Sequence, residues 1–375
     1  MRLLKTTKPY QFKNYKIVLV LTVLALSILG VFVIGSAKES VQGKQILGLV
    51  LGLVLMLGIS LIDYSWLLRF YWVLYGVNIV LLLITLSPLG DSVNGAQRWI
   101  DLKFFSLQPS EITKILMILF FARFFSDHEE DVNNPKTLFT ALALLAPNLL
   151  LILKQPDLST TISIVVTFCA IVYLVGLNYK IIGILFAIAI PTVAIFLGIV
   201  VQPNQKLIEP YQQRRILGWL QPEKYANDIA YQQNNAIIAI GSGQLTGKGL
   251  NNNTTVSVKN GNYISEPQTD FIFAIVGEEL GFVGCCIVIG LLLLIVIQCI
   301  RIGMKAQDLA GRLICCGIAS QIGFQSFINI SVATGVFPNT GIPLPFVSYG
   351  LTSLMTMYMG IGVVLNVGLQ PKKYQ

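Results

Sequence analysis

Glu266-Pro267-Gln268-Thr269-Asp270-Phe271-Ile272-Phe273-Ala274-Ile275-Val276-Gly277-Glu278-Glu279-Leu280-Gly281 is where the chain passes from a long polar segment into an apolar run that continues to Ile300. A run of that length is enough to cross a bilayer. Asp270 then stands where a polar loop enters the membrane, with Glu278 and Glu279 about two helical turns deeper. Carboxylates at such depth are costly, usually face inward, and are a functional hypothesis by default. Asp270 could also cap the helix that follows, and the two roles are compatible. Glu278 and Glu279 differ by about 100° on a helix, so they are not expected to face one cavity, and one of them is expected to pair with a buried cation.

The rest of the chain fits this reading. Of 375 residues, 54% are hydrophobic and 12% charged, the composition of a polytopic membrane protein. Apolar runs fall at 17–36, 45–62, 67–88, 111–126, 137–153, 158–177, 181–201, 271–300, 310–335 and 346–368. The first lacks a small-residue cleavage site and reads as a span, not a signal peptide. Ten crossings put both ends on one side. The basic leader (Arg2, Lys5, Lys8, Lys13, Lys16) and Lys372-Lys373 make that side the cytoplasm. Short segments on that side carry fourteen Lys or Arg, and short segments on the other side or at the outer ends of spans carry six. The expected fold is therefore all-α: one ten-span membrane domain over 1–375, with a large extracytoplasmic loop, 202–269, between helices 7 and 8. The net charge of +8 reads as topology and not as nucleic-acid binding.

All six cysteines lie in expected spans without C-x-x-C spacing, and the single histidine, His128, sits in an acidic connection. A disulfide scaffold, a histidine-based metal site and a Ser-His-Asp triad are excluded on that ground. The glycine-rich Gly241-Ser242-Gly243-Gln244-Leu245-Thr246-Gly247-Lys248-Gly249 is not a phosphate loop, because Gly249 follows Lys248 where Ser or Thr is required. It reads as a link that lets backbone pass close to something.

Several polar groups can converge on Asp270. Asn94-Gly95 is a turn signal, and Trp99 to Leu107 partly alternates, so a small hairpin is expected within 89–110. Glu111 and Lys114 share a helix face and can pair, as structure or as substrate contact. Arg98, Arg214 and Arg215 suit lipid headgroups or a diphosphate, and Trp99 an interface anchor. Asp157, after Lys154-Gln155-Pro156, can cap the next span. The run 227–240 is amphipathic and could lie on the bilayer. Gly277 and Gly281 are spaced for close helix packing. Pro338-Asn339-Thr340-Gly341-Ile342-Pro343-Leu344-Pro345-Phe346 cannot be regular helix, and at membrane depth such backbone is tolerated only against protein or a water-filled cavity.

These residues resemble the SEDS family (shape, elongation, division and sporulation), which includes RodA, FtsW and SpoVE. The matching segments are Arg98-Trp99 with Gln108-Pro109-Ser110-Glu111 and Lys114; Lys154-Gln155-Pro156-Asp157; Ala239 to Gly249; Thr269 to Gly281; and Leu344-Pro345-Phe346-Val347-Ser348-Tyr349-Gly350. The resemblance implies a ten-span peptidoglycan glycosyltransferase of the bacterial cytoplasmic membrane acting on lipid II. Its essential acid falls on Asp270 and its buried Glu/Lys pair on Glu111 and Lys114. Arg98, Lys114, Arg214 and Arg215 become candidates to stabilise a departing diphosphate, a task a divalent cation could share. Glu111, Lys154 and Ser348 join them as substrate contacts, while Trp99, Asp157, Glu278 and Glu279 support the site. The chain departs from the family in having Gly350-Leu351-Thr352-Ser353 where Gly-Gly-Ser-Ser is usual. The implied partner is a class B penicillin-binding protein, besides membrane lipid. The short tails and Gly341-Ile342-Pro343-Leu344 resemble RodA slightly more than FtsW. A lipid II flippase is the alternative, but its charges should line the whole path, and here they cluster on the outer side.

Overall fold

The computed structural model describes residues 12–93, 96–101, 106–202, 205, 208, 210–225, 229–252, 257–259, 261 and 263–370. Arg2, Lys5, Lys8, the Asn94-Gly95 turn, Asn227 and Lys372-Lys373 lie outside the described residues. The spanning elements are α1 (Ile17–Ala37), α2 (Glu39–Ser60), α3 and α4 (Tyr64–Leu67 and Tyr71–Thr85, joined by a 3-10 turn into one span), α5 (Pro109–Asp127), α6 (Pro135–Lys154), α7 (Leu158–Val175), α8 (Tyr179–Val200), α11 (Ile272–Met304), α12 (Leu309–Ala333) and α13 (Leu351–Leu369). Among the described residues eight of these are long and apolar enough to cross a membrane. The other two are α5, which carries Glu111, Lys114, Arg123 and Asp127, and α8, whose 22 residues are long enough.

A small hairpin, β1 (Asp91–Val93) with β2 (Ala96–Asp101), follows α4, and β2 also pairs with β3 (Ser106–Leu107). The long loop folds into two helices, α9 (Pro210–Leu220) and α10 (Ile229–Ser242). Helix α10 presses Ala236, Ala239 and Ile240 inward and leaves Ile237 and Ile238 exposed.

Helices α5, α12 and α13 are the most buried, with α1, α2, α7 and α11 packed around them. Lipid offers no hydrophobic drive between helices, so small residues and polar ties hold the bundle. A Cβ at Gly52 of α2 would fall 2.5 Å from the Tyr358 ring of α13, and one at Gly362 would fall 2.8 Å from the Met56 carbonyl. Asn78 of α4 donates to Asn148 of α6 at 2.6 Å and accepts from Thr113 of α5 at 2.7 Å. Gln321 of α12 bonds Ser163 and Thr167 of α7, both at 2.9 Å.

Two stretches expected to be helix are broken. Residues 346–350 are irregular, and α13 begins at Leu351. Helix α11 is interrupted at Gly281, at φ 65° and ψ −164°, a conformation essentially reserved for glycine. The glycine-rich link repairs the break: Phe282 and Val283 donate to the carbonyls of Gln244 and Leu245, while Lys248 and Gly249 donate to those of Glu278 and Glu279. Backbone freed within a membrane protein must find such partners. Gly277 and Gly281 therefore give close approach to Ile240 and to the link at Leu245–Gly247, not to another span.

Candidate active site

The loop's last residues are held from two sides. Asn329, buried in α12, donates to the carbonyls of Asp270 at 2.9 Å and Ile342 at 2.8 Å. Ser348 donates to the carbonyl of Thr269 at 2.6 Å and accepts from the Leu344 amide at 2.7 Å. Tyr349 N–H bonds the Gln268 carbonyl at 2.8 Å. These bonds lock the proline-rich segment 338–346 against Asp270 and satisfy its irregular backbone within protein. Ser348 is thus a buried tie between the two segments.

Asp270 lies two residues before α11, half-buried. Across from it is Gly341, at φ +72°. A Cβ there would come 3.5 Å from the Asp270 carboxylate and 3.4 Å from the Arg215 guanidinium. A side chain would intrude on the one spot both groups face. Burial pushes the Asp270 carboxyl above the usual carboxylate range, and Arg215, then Arg98, pull it back. Among the described residues no side chain hydrogen-bonds this carboxylate, so its charge is met through space.

Arg215 arrives on α9, which Gln212 docks through the Pro156 carbonyl at 3.2 Å. Arg98, on β2, bonds the carbonyls of Gln155, at 3.0 Å, and Pro156. One connection between α6 and α7 therefore positions both guanidiniums. Asp157 caps α7 through Thr160 N–H at 3.1 Å and accepts from the Thr160 hydroxyl at 2.9 Å. Ser159 bonds the Thr340 carbonyl. Arg214 and Lys154 are exposed, and Trp99 is half-buried in β2. Thr352, at the family departure, donates to the Ser106 carbonyl at 2.9 Å and so holds β3.

Beneath Gly341 lies a polar cavity of about 40 Å³ lined by Arg98, Glu111, Lys114, Asp157, Gln325 and Gly341, among others. Lys114 pairs with Glu111 at 2.7 Å, both almost fully buried, and among the described residues the second Glu111 oxygen has no partner. The cavity runs from this pair to Arg98 and Gly341 and has room for about one water.

Glu278 and Glu279 each find their own lysine, where only one pairing was expected. Glu278 takes Lys248 at 2.7 Å and the backbone amides of Val258 and Lys259 at 2.9 and 3.3 Å. Glu279 takes Lys259 at 2.8 Å and the Ser36 hydroxyl. These are ties between loop and bundle. Among the described residues no group of three His, Cys, Asp or Glu side chains could hold a metal ion.

Sequence reading missed Asn329. Its signal was available: Gln321, Gln325 and Asn329 recur every four residues along a mostly apolar helix, an amide stripe on one face.

The family model described as cell cycle protein, covering FtsW, RodA and SpoVE, matches residues 10–373. The chain is 33% identical over 375 residues to the probable peptidoglycan glycosyltransferase FtsW of Trichlorobacter lovleyi, covering 96% of this chain and 94% of the relative. It is 35% identical over 357 residues to the peptidoglycan glycosyltransferase MrdB of Escherichia coli K12, covering 93% and 92%. A solved structure described as coordinating polymerization and crosslinking in a peptidoglycan synthase complex superposes with a TM-score of 0.78 at 28% identity, covering 94% of this chain and 97% of that one.

Proposed function

Since this chain belongs to the FtsW/RodA/SpoVE family, a family of multi-pass membrane proteins, we propose that it is a peptidoglycan glycosyltransferase that polymerises lipid II at the outer face of the cytoplasmic membrane. The observation that carries the reading is the Asp270 carboxylate facing Arg215 across Gly341, with Arg98 beside it. Lipid II carries its sugar on a polyprenyl diphosphate, so the bond to be broken is already activated. Asp270 takes the proton of the acceptor hydroxyl as that oxygen attacks the donor's anomeric carbon. The bond to the diphosphate breaks in the same in-line step, with inversion, and the diphosphate leaves with the electron pair. Arg215 and Arg98 are the cations nearest the base, and guanidinium suits phosphate oxygens.

The positive-inside excess and the layout of the bundle support this sidedness. Lys16 and Gly368 meet at the face opposite Asp270, as an even number of crossings requires, and the basic ends belong in the cytoplasm. Below the Glu111–Lys114 pair the bundle is filled by Phe120, Phe121, Phe125 and Phe168. That filling supports chemistry at the mouth over passage of a lipid headgroup. The partner we assign is a crosslinking transpeptidase, a class B penicillin-binding protein, in line with the synthase complex that the fold resembles.

The test is Asp270→Asn, which keeps shape and removes the base. Purified variant should elute as wild type and polymerise lipid II about 10²–10⁴-fold more slowly, the usual worth of a general base. The assay is run with and without a divalent cation. Polymerisation at the wild-type rate would remove Asp270 from the mechanism.

A further inference from the structure

At the face opposite Asp270, the start of α1 and the end of α11 enclose a groove of about 740 Å³. Tyr15, Lys16 and Val18 form one wall, and Leu294, Arg301 and Lys305 the other. Among the described residues no acid lines it, and none of the three cations joins a salt bridge. Arg301 and Lys305 complement the negative end of α11. Lys16 has the opposite setting. It occupies the N-cap of α1, where no side chain caps the helix and no acid enters the first turn. A cation at a helix N-terminus is the wrong sign. The site therefore concentrates uncompensated positive charge from both sides.

Directly beside these charges the walls turn apolar and outward. Ile17, Val18, Leu21, Leu293 and Met304 are each more than half exposed, as lipid-facing residues are. The floor is polar where Gln298 donates to Thr22 at 3.3 Å. A free phosphate would meet the charges and leave the apolar walls unused. A zwitterionic headgroup would bring its own cation into a groove with no acid among its described lining residues. We propose that this groove is a binding site for a phospholipid with an anionic headgroup, its phosphate on Lys16, Arg301 and Lys305 and its chains along Val18 and Leu294.

The experiment follows thermal unfolding of the full chain in nanodiscs of phosphatidylcholine, with and without phosphatidylglycerol. The triple variant K16Q/R301Q/K305Q is compared with R69Q/K136Q/K180Q, which removes equal charge from other helix ends of the same face. Phosphatidylglycerol should raise the wild-type midpoint, and the groove triple should need at least about tenfold more of it for the same rise. The control triple should respond as wild type, and Lys16→Gln alone should lose part of the response, which keeps the test open if the groove triple does not fold. Equal loss in both triples would reduce the groove to diffuse charge and overturn the proposal. Identical midpoints with and without phosphatidylglycerol would do the same, as would suppression of the rise by millimolar inorganic phosphate.

Discussion

Glu278 accepts from the Lys248 ammonium and two backbone amides, and Glu279 accepts from Lys259 and Ser36. Eight residues earlier in the chain, Asp270 has Arg215 and Arg98 near it and, among the described residues, no side chain bonded to its carboxylate. Both regions hold acids against cations at the same end of the bundle. In the first, each carboxylate is bonded to a lysine and to at least one further fixed donor, although the second Glu279 oxygen is buried with no partner among the described residues. The set pins the loop beside the break in α11. In the second, the backbone is pinned through Asn329 and Ser348 while the carboxylate stays available. An acid whose bonds are already made is a structural tie. An acid held by its main chain alone, with cations at a distance, can exchange a proton.

The comparison breaks most readily at Glu279. Glu279→Ala leaves Lys259 buried beside Ser36, and removing one partner of a buried pair costs about 3–5 kcal/mol. A much lower unfolding midpoint in detergent is expected, with any surviving folded protein still active. Asp270→Asn should do the reverse. The fold raises the Asp270 pKa, so the neutral form is the one folding favours. Its contribution is full below the unfolded value and is lost once the pH has risen through the folded one. Asparagine mimics the neutral form, so the variant should be at least as stable as wild type while losing polymerisation. If Glu279→Ala melts like wild type, or Asp270→Asn melts far lower, the two acids do not differ as described.

The next test acts on pH. Arg215 lowers the Asp270 pKa against the effect of burial, so Arg215→Gln should let it rise further. A base must be deprotonated to act, so the acid limb of the kcat/KM profile should move to higher pH in the variant. A lower plateau would report lost contact with the diphosphate, and the displaced limb reports the base separately. An acid limb unmoved by the substitution would mean that the titrating group is not Asp270.

How much of this was legible in the sequence depends on whether the signal is local. The spans and the acid at the loop–membrane boundary were readable, because hydropathy and a carboxylate beside an apolar run are both local. So was the i,i+3 pairing of Glu111 with Lys114. The break in α11 was not. Phe271 to Ile300 is a continuous apolar run, and what opens the helix at Gly281 is a pair of carbonyls more than thirty residues upstream, at Gln244 and Leu245. The partners of Glu278 and Glu279 come from loop lysines 30 and 20 residues earlier, and nothing in their immediate sequence marks them. Asn329 was hidden differently, since one amide in an apolar helix becomes informative only when the stripe with Gln321 and Gln325 is counted.

The smallest effect belongs to Lys38 and Glu266, and it sharpens the comparison from outside both regions. This pair closes at 3.1 Å over the turn between α1 and α2, but its side chains are 42% and 59% exposed. Water screens such a pair and side-chain ordering opposes it, so exposed pairs contribute about 0–1 kcal/mol. It also joins the same loop to the same end of α1 as the buried Lys259–Ser36–Glu279 tie does. Lys38→Gln should therefore shift the unfolding midpoint slightly or not at all and leave the polymerisation rate unchanged. A loss approaching that of Glu279→Ala would mean that loop and bundle are held by the number of ion pairs between them. A negligible loss ties the hold to burial and to the backbone amides that Glu278 accepts.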